Sequence, residues 1–450
     1  MVEINYDNKR NAVLGLLILF VLIVGSFLLV DSIFPERPEK NVILLVLDTV
    51  RADHVGCCSL ERNGTYRAGG LTPSLDSLAR HGTAFQACQA QARWTLPAFA
   101  SIFTGVSSRA HRVNTGPSHM TGIAPEYITI PEMLAEAGYD TYGLFNAPVV
   151  DAPYGFHEGY DFIDARGCTL AVDAEYVVDR GLSWLDDREN ESGFFMSLHF
   201  FDAHYPYDPP DEYWEGWGWD KIEFPSSQAM IQACTDSILT SVDYEFLHTL
   251  YCAEIHSMDA QIGRFFAELR DRGLAENTII IVVADHGEEF GEHGNIFHRS
   301  FYQEVIHVPL IVAGPGVMDR VVSDPVGQYD ILPTLARLLD LECPPYVEGL
   351  PLPLAPGDSL HESIPSSGEL TGIKPLVAIR TKFITGIWDA GTDSLITFRR
   401  PEQDMLSQGN DDGWFLRMAM EYWATPTLLS PMIVPNSEQR SALMKNLGYI

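Results

Sequence analysis

The chain has 450 residues, 46% of them hydrophobic, and a formal net charge of −32 at pH 7. That length supplies one large domain with a smaller companion, or two to three ordinary domains. The acidic balance excludes nucleic acid as a partner, since phosphate backbones require basic patches; with lysine scarce, it suits a high-salt milieu that screens self-repulsion.

In chain order, the first element is the uncharged apolar run Ala12 to Val30. It approaches the roughly 20 residues that cross a bilayer core as a helix. Lys9 and Arg10 precede it, which by the positive-inside tendency holds the N-terminus in the cytoplasm and the rest outside. The run exceeds a signal-peptide core, and no A-x-A site follows it. The expectation is a single-pass anchor: residues 1–10 cytoplasmic, 11–31 transmembrane, and 32–39 a tether stiffened by Pro35 and Pro38.

Asn41–Leu47 is a continuous apolar run ending in Asp48, as in a strand buried on both faces. Phe194–Phe201 is a second such strand, leading to Asp202 and His204. Thr278–Ala284 is a third, ending in Asp285, and Pro309–Ala313 a fourth, followed by the turn Gly314-Pro315-Gly316. Leu247–Arg272 has helical periodicity, with Gly273 just past its end. Strands alternating with helices predict an open α/β sheet, whose ligands bind at the carboxyl ends of the strands. From residue 356 the texture changes, and Leu376–Trp388 with Ser394–Phe398 predict a small antiparallel sheet with a closing helix. The catalytic domain is therefore set at 40–355 and the C-terminal subdomain at 356–450. Seven cysteines show no metal-ligand spacing and read as small buried side chains, with one disulfide allowed. Asn63-Gly-Thr and Asn190-Glu-Ser match the glycosylation pattern, a short one that recurs by chance.

The strongest local signal is Asp285-His286-Gly287-Glu288. A carboxylate and an imidazole side by side at a strand end, followed by glycine, can turn toward one divalent cation, and Asp48 adds another hard oxygen. Three such ligands with an open position describe a catalytic metal site. Thr95, two residues before Pro97, opens a helix, whose N-terminus favours anions. A hydroxyl there, as a further ligand of the cation, loses its proton more readily and can attack phosphorus or sulfur. Taken alone, Thr95 reads better as a simple helix cap than as a nucleophile.

Several segments together resemble the sulfatase family of the alkaline phosphatase superfamily: NVILLVLDTVRADH at 41–54, TPSLDSLARHGTAF at 72–85, WTLPAFASIFTG at 94–105 and VADHGEEFGEHGNIFH at 283–298. HFFDAHYP at 199–206, VPLIVAGPG at 308–316, YDILPT at 329–334 and the terminal LGYI at 447–450 extend the resemblance over about residues 40–450. It implies an alkaline-phosphatase-like α/β/α sandwich with a smaller C-terminal antiparallel subdomain. It also implies one divalent metal on Asp48, Asp285 and His286. His204 matches the family's substrate-contacting histidine, and His298 one that binds the transferred group or protonates the leaving oxygen. Arg51 is a candidate clamp for an anionic oxygen, and Asp202 a candidate substrate ligand. A second ion held by Asp202, His204 and His298 is left open. His111, His293 and His307 read as surface or packing histidines.

The departures from the family pattern are as informative. Sulfatases proper convert a cysteine in C-x-P-x-R to formylglycine; here Thr95 and Phe99 stand at the cysteine and arginine positions. Thr49 replaces a neighbouring metal carboxylate, and His286 a frequent asparagine. The resemblance therefore shifts toward phosphodiesterases, phosphomonoesterases and lipid-headgroup phosphotransferases with a Thr or Ser nucleophile. Those relatives favour manganese or zinc, with calcium and magnesium as alternatives. The expected reaction is cleavage or transfer of a phosphate ester, lipid- or glycan-linked, through a covalent Thr95 intermediate. Two rivals are a sulfuric ester hydrolase working from an unmodified hydroxyl and a non-catalytic binding protein on the same fold.

Overall fold

The computed structural model describes residues 38–58, 70–114, 120–169, 171–188, 193–214, 226–370, 373–382, 384–389, 392, 394–399, 404–408, 417–420, 422 and 431–434. The expected membrane helix and most of its tether, both glycosylation patterns and the terminal LGYI lie outside the described residues. Among the described residues, no helix is long and apolar enough to cross a membrane.

A nine-stranded mixed sheet forms the centre. From one edge its strands are Arg320–Val322, Gly82–Gln89, His307–Ala313, Thr278–Ala284, Asn41–Leu47, Phe194–Phe200, Asp140–Leu144 and Phe162–Asp164, with Val326–Gly327 also pairing Gly82–Gln89. The three central strands are parallel and buried along their whole length. Helices cover a sheet of this kind on both faces, which is why these strands are apolar runs without alternation. Each fully buried Val, Leu or Ile contributes about 1.5–3 kcal/mol relative to exposure. The His307–Ala313 strand runs antiparallel to both neighbours, so its carboxyl end points away from the others. There the chain turns at Gly314 (φ 123°), where a Cβ would approach Thr278 O to 2.3 Å.

The long helix covers Ser241–Asp271 and begins earlier than its apolar periodicity suggests. Its start is set by a capping box: the Thr240 hydroxyl accepts from Asp243 N, and the Asp243 carboxylate accepts from Thr240 N. The C-terminal sheet has five consecutive antiparallel strands, Ser363–Leu370, Ile373–Thr381, Ile384–Asp389, Ser394–Arg399 and Asp404–Gln408. The segment expected as one alternating run, Leu376–Trp388, is a hairpin turned after Thr381, whose hydroxyl accepts from Ile384 N at 3.1 Å. Residues 417–420 are helical and bring Ala419 against this sheet. The sheet docks on the main one through Gln89, whose Nε2 donates to Ile364 O (3.0 Å) and Ser366 Oγ (2.8 Å). All seven cysteines are thiols, so no disulfide contributes.

Phe99 lies inside the helix Thr95–Thr104, fully buried, with its ring centroid 6.0 Å from Phe103, 6.1 Å from Phe156 and 4.6 Å from His199. Truncation leaves a cavity in a packed aromatic cluster, so Phe99→Ala is expected to cost about 3–5 kcal/mol. Denaturant unfolding measures this, and a loss under about 1 kcal/mol would show that the cluster is not a stabilising unit.

Candidate active site

The register of the central strands builds the site. Leu47 pairs with both Phe200 and Ala284, and the parallel ladder continues one step further: Asp48 N donates to Phe200 O (2.9 Å) and Asp285 N to Leu47 O (3.3 Å). Asp48 and Asp285 are therefore lateral neighbours at the carboxyl edge, both wholly buried. Immediately after Asp48 the chain reverses at Thr49, a non-glycine residue with φ 57°. Its hydroxyl donates to Ala203 O at 2.6 Å and its N–H to Asp285 Oδ1 at 3.1 Å, interactions that hold this costly backbone conformation. Thr49 thus serves the turn where other family members place a carboxylate. On the other strand, Gly287 follows His286 because no side chain fits: a Cβ there would meet Glu304 O at 2.0 Å.

Asp48, Asp285 and His286 each offer a ligand atom, all within 4.8 Å of one another. Asp48 Oδ2 accepts from His199 Nε2 (3.1 Å) and Thr95 Oγ1 (3.4 Å), and Asp285 Oδ1 from the His286 and Thr49 amides (2.7 and 3.1 Å). The other oxygen of each, Asp48 Oδ1 and Asp285 Oδ2, is buried without a hydrogen-bond partner. His286 Nδ1 donates to Gly287 O at 3.0 Å, which leaves the lone pair on Nε2, 3.4 Å from Asp285 Oδ2 and 3.9 Å from Asp48 Oδ1. Two orphaned carboxylate oxygens and one imidazole lone pair, converging, fit a divalent cation with open positions.

The electrostatics agree. Burial, and then the nearby Glu288, push the Asp48 carboxyl well up; burial and Asp48 push Asp285 up to about 7. Burial pulls His286 down to about 4, so its imidazole is neutral at pH 7, the form that ligates.

Thr95 is the first residue of its helix, with Trp94 as the cap residue, so its hydroxyl is not the cap. Instead Thr95 Oγ1 lies 3.3 Å from His286 Nε2 and 3.4 Å from Asp48 Oδ2, at the edge of the ligand cluster. The structure brings His204 and His298 beside it, with ring centroids 5.6 Å apart and His298 4.6 Å from His286. His204 Nδ1 donates to Tyr205 O (2.6 Å), and His298 Nδ1 is 3.3 Å from Glu288 Oε1. Burial lowers both imidazoles, His298 to about 3 with help from Arg93 and Arg299.

Two expected residues are engaged elsewhere. Asp202 Oδ1 accepts the Ala174 N–H at the start of the helix Ala174–Asp186 (2.7 Å), and burial raises its carboxyl to about 7. Its other oxygen, Oδ2, is buried without a hydrogen-bond partner, yet among the described residues Asp202 forms no ligand cluster with His204 and His298. Arg51 is held by Asp53 through two bonds (2.9 and 2.7 Å), by Glu292 and by Glu288 O, which use its guanidinium within the fold. His111, His293 and His307 bond to Ser101, Glu304 and Gln86 O.

Three contributors were not singled out from the sequence. His199, buried in its strand, accepts the Asn146 N–H at Nδ1 (3.2 Å) and therefore donates from Nε2 to Asp48. The only trace of it is a polar ring inside an apolar run. Glu288 accepts from Tyr207 at 3.2 Å and flanks His298. Arg93, buried, donates to Arg299 O, and its charge acts on His298.

The sulfatase family profile matches residues 40–341, and the chain belongs to the sulfatase family. An arylsulfatase of Clostridium perfringens (strain 13 / Type A) is 25% identical over 385 residues, covering 70% of this chain and 78% of its own. Arylsulfatase K of Bos taurus is 24% identical over 391 residues, covering 75% and 67%. Among solved structures, a protein in complex with its substrate D-glucosamine-2-N,6-O-disulfate superimposes with TM-score 0.69 at 17% identity, over 92% of this chain and 98% of that one. The phosphonate monoester hydrolase of Silicibacter pomeroyi does so with TM-score 0.66 at 18% identity, over 85% and 94%. These likenesses define an alkaline-phosphatase-like fold, and the chain is a sulfatase-family hydrolase.

His199 orients Asp48 from outside the ligand set. Replacing it by leucine removes the Nε2–H, and metal affinity is expected to fall about 10–100-fold. Competition titration with a chelator reads this; unchanged affinity would remove His199 from the site.

Proposed function

We propose that this hydrolase cleaves or transfers a phosphate ester through a covalent intermediate on Thr95. One observation carries the reading: a threonine hydroxyl, 3.3 Å from His286 Nε2 and 3.4 Å from Asp48 Oδ2, occupies the place a modifiable cysteine would need. Formylglycine cannot arise from threonine, so the nucleophile is an ordinary hydroxyl.

Asp48, Asp285 and His286 would hold the divalent ion, manganese or zinc by the imidazole in the set. Bound there, the ion supplies Lewis acidity that lowers the pKa of a neighbouring hydroxyl. Thr95 Oγ bonds to the phosphorus as the bond from phosphorus to the ester oxygen breaks. The Thr95 proton passes through water to the His204–His298 pair and on to the departing oxygen, and water or an acceptor alcohol then displaces Thr95, which regains a proton from it. His204 and His298 handle the leaving oxygen, with Glu288 orienting the His298 ring. Arg93 and Arg299 give this wall the positive field that a charged ester requires.

The second reading, a sulfuric ester hydrolase working from the unmodified hydroxyl, is favoured by the relatives, several of which are arylsulfatases. An aryl sulfate, an aryl phosphate and a bis-aryl phosphate, each assayed with several metals, separate the two: the phosphate substrates are expected to turn over fastest. Thr95→Ala is expected to lower kcat by at least about 10³-fold with metal content unchanged. A variant retaining substantial turnover removes Thr95 as nucleophile.

The uncharged run Ala12 to Val30 supports a further proposal, that the enzyme is anchored in a membrane with its catalytic domain outside the cytoplasm. A lipid- or glycan-linked ester of the cell envelope is the substrate class that fits. The full chain is expected to resist alkaline extraction from membranes, and a chain starting at residue 38 to be released into the soluble fraction. Release of the full chain by alkali alone would exclude the anchor.

A further inference from the structure

Outside the Asp48 cluster, three more ligand atoms converge. His248 and Cys252 lie four residues apart on the helix Ser241–Asp271, hence on one face. His54 ends the short turn Ala52–His54, which follows the loop carrying Asp48. All three side chains are buried, and one ligand atom from each lies within 4.8 Å of the others. Asp53 Oδ1 lies 2.8 Å from His54 Nδ1; a carboxylate only accepts, so Nδ1 carries the proton and Nε2 the lone pair. That lone pair faces His248 Nε2 at 2.7 Å, and Cys252 Sγ lies 3.8 and 3.9 Å from the two His248 nitrogens. Two lone pairs do not meet at such a distance, so His248 Nε2 carries a proton and donates it to His54 Nε2.

We propose that His54, His248 and Cys252 form a second metal site, selective for zinc, which staples the Asp48 loop to the long helix. Two imidazoles and a thiolate are a soft donor set, unlike the oxygen-rich catalytic one, and three protein ligands leave the fourth position of a tetrahedral zinc to water. Asp53 is the outer carboxylate that fixes the ligating tautomer of a zinc-bound histidine. On binding, the proton on His248 Nε2 moves to Nδ1, the Cys252 thiol proton leaves to water, and the ion takes both lone pairs and the thiolate. The nitrogens must separate to about 3.3 Å, the span of two ligands at roughly 2.0–2.1 Å from a tetrahedral ion. Burial suits this exchange: it holds the His248 imidazole neutral, down to about 2, and keeps the Cys252 thiol inert, up to about 12, until a cation displaces its proton. Between the two helix ligands, Tyr251 donates to Thr49 O (2.8 Å) and accepts from Arg51 N (3.0 Å), so the staple grips the turn that aims Asp48.

Cobalt(II) titration of the chelator-stripped full chain tests the site. A thiolate-to-cobalt charge-transfer band in the near ultraviolet is expected. It should persist in Asp285→Asn, vanish in Cys252→Ser and be bleached by zinc. No such band in the wild-type chain, or one that survives Cys252→Ser, overturns the proposal. Circular dichroism establishes that the variant is folded; should Cys252→Ser not fold, Cys252→Ala and His54→Gln are read by the same criterion. The absence of a band in the wild-type chain is decisive whatever the variants do.

Discussion

Two carboxylates buried side by side, with no ion pair to a lysine or arginine among the described residues, are the constraint around which this molecule is arranged. Asp48 and Asp285 follow neighbouring parallel strands in register, so the ladder itself places them together. Glu288, Thr95 and His199 act on Asp48, and Asp48, His286 and two amides on Asp285. Burying an uncompensated carboxylate costs several kcal/mol, and two of them repel. The fold meets only half of that demand: one oxygen of each carboxylate receives N–H or O–H donors, and the other receives none. A divalent cation at the two open oxygens would supply the missing charge; without one, a raised carboxyl pKa lets a proton take its place.

The same edge explains the replacement of cysteine and arginine by Thr95 and Phe99. An arginine within the helix Thr95–Thr104 would have to lie where Phe99 meets Phe103, Phe156 and His199, in an apolar cluster without an acid partner. With phenylalanine there, the cluster instead backs the His199 ring, whose Nε2 holds Asp48. Phe99 thus fills space that a cation would otherwise need, and it packs on the ring that holds Asp48.

Much of this was legible in the sequence because its cause is local. Strands buried on both faces must be apolar runs, and the acids that end them announce the sheet edge. Family resemblance added the order of the motifs and the expectation for Thr95. What remained hidden depends on pairing across the fold. The antiparallel course of His307–Ala313 changes no side-chain pattern, because that strand is buried on both faces either way. The start of the long helix escaped a reading based on periodicity, since Thr240 and Asp243 fix it through capping. His199 looked like one residue of a strand, and only the register with Val46 brings its ring under Asp48. Asp202 lies after its strand as expected, and one of its oxygens accepts from Ala174 N, a bond no periodicity announces.

Arg51 shows why charge type and strand-end position do not suffice to assign an anion clamp. Asp53, Glu292 and the Glu288 carbonyl occupy its guanidinium, and although burial opposes the charge, those acids keep it firmly protonated. Its work is to close the loop after Asp48 against the 288–292 segment. The cations that act on His298 are Arg93 and Arg299, whose charge depresses its imidazole. A neutral His298 between a guanidinium pair and Glu288 is an arrangement that responds to an incoming anion. A doubly charged ester would offset the guanidinium charge and raise the affinity of His298 for a proton, in the direction its leaving-group role requires. A singly charged sulfate ester would do so less. The phosphate preference proposed above would thus have an electrostatic basis in these two cations, separate from the identity of the nucleophile.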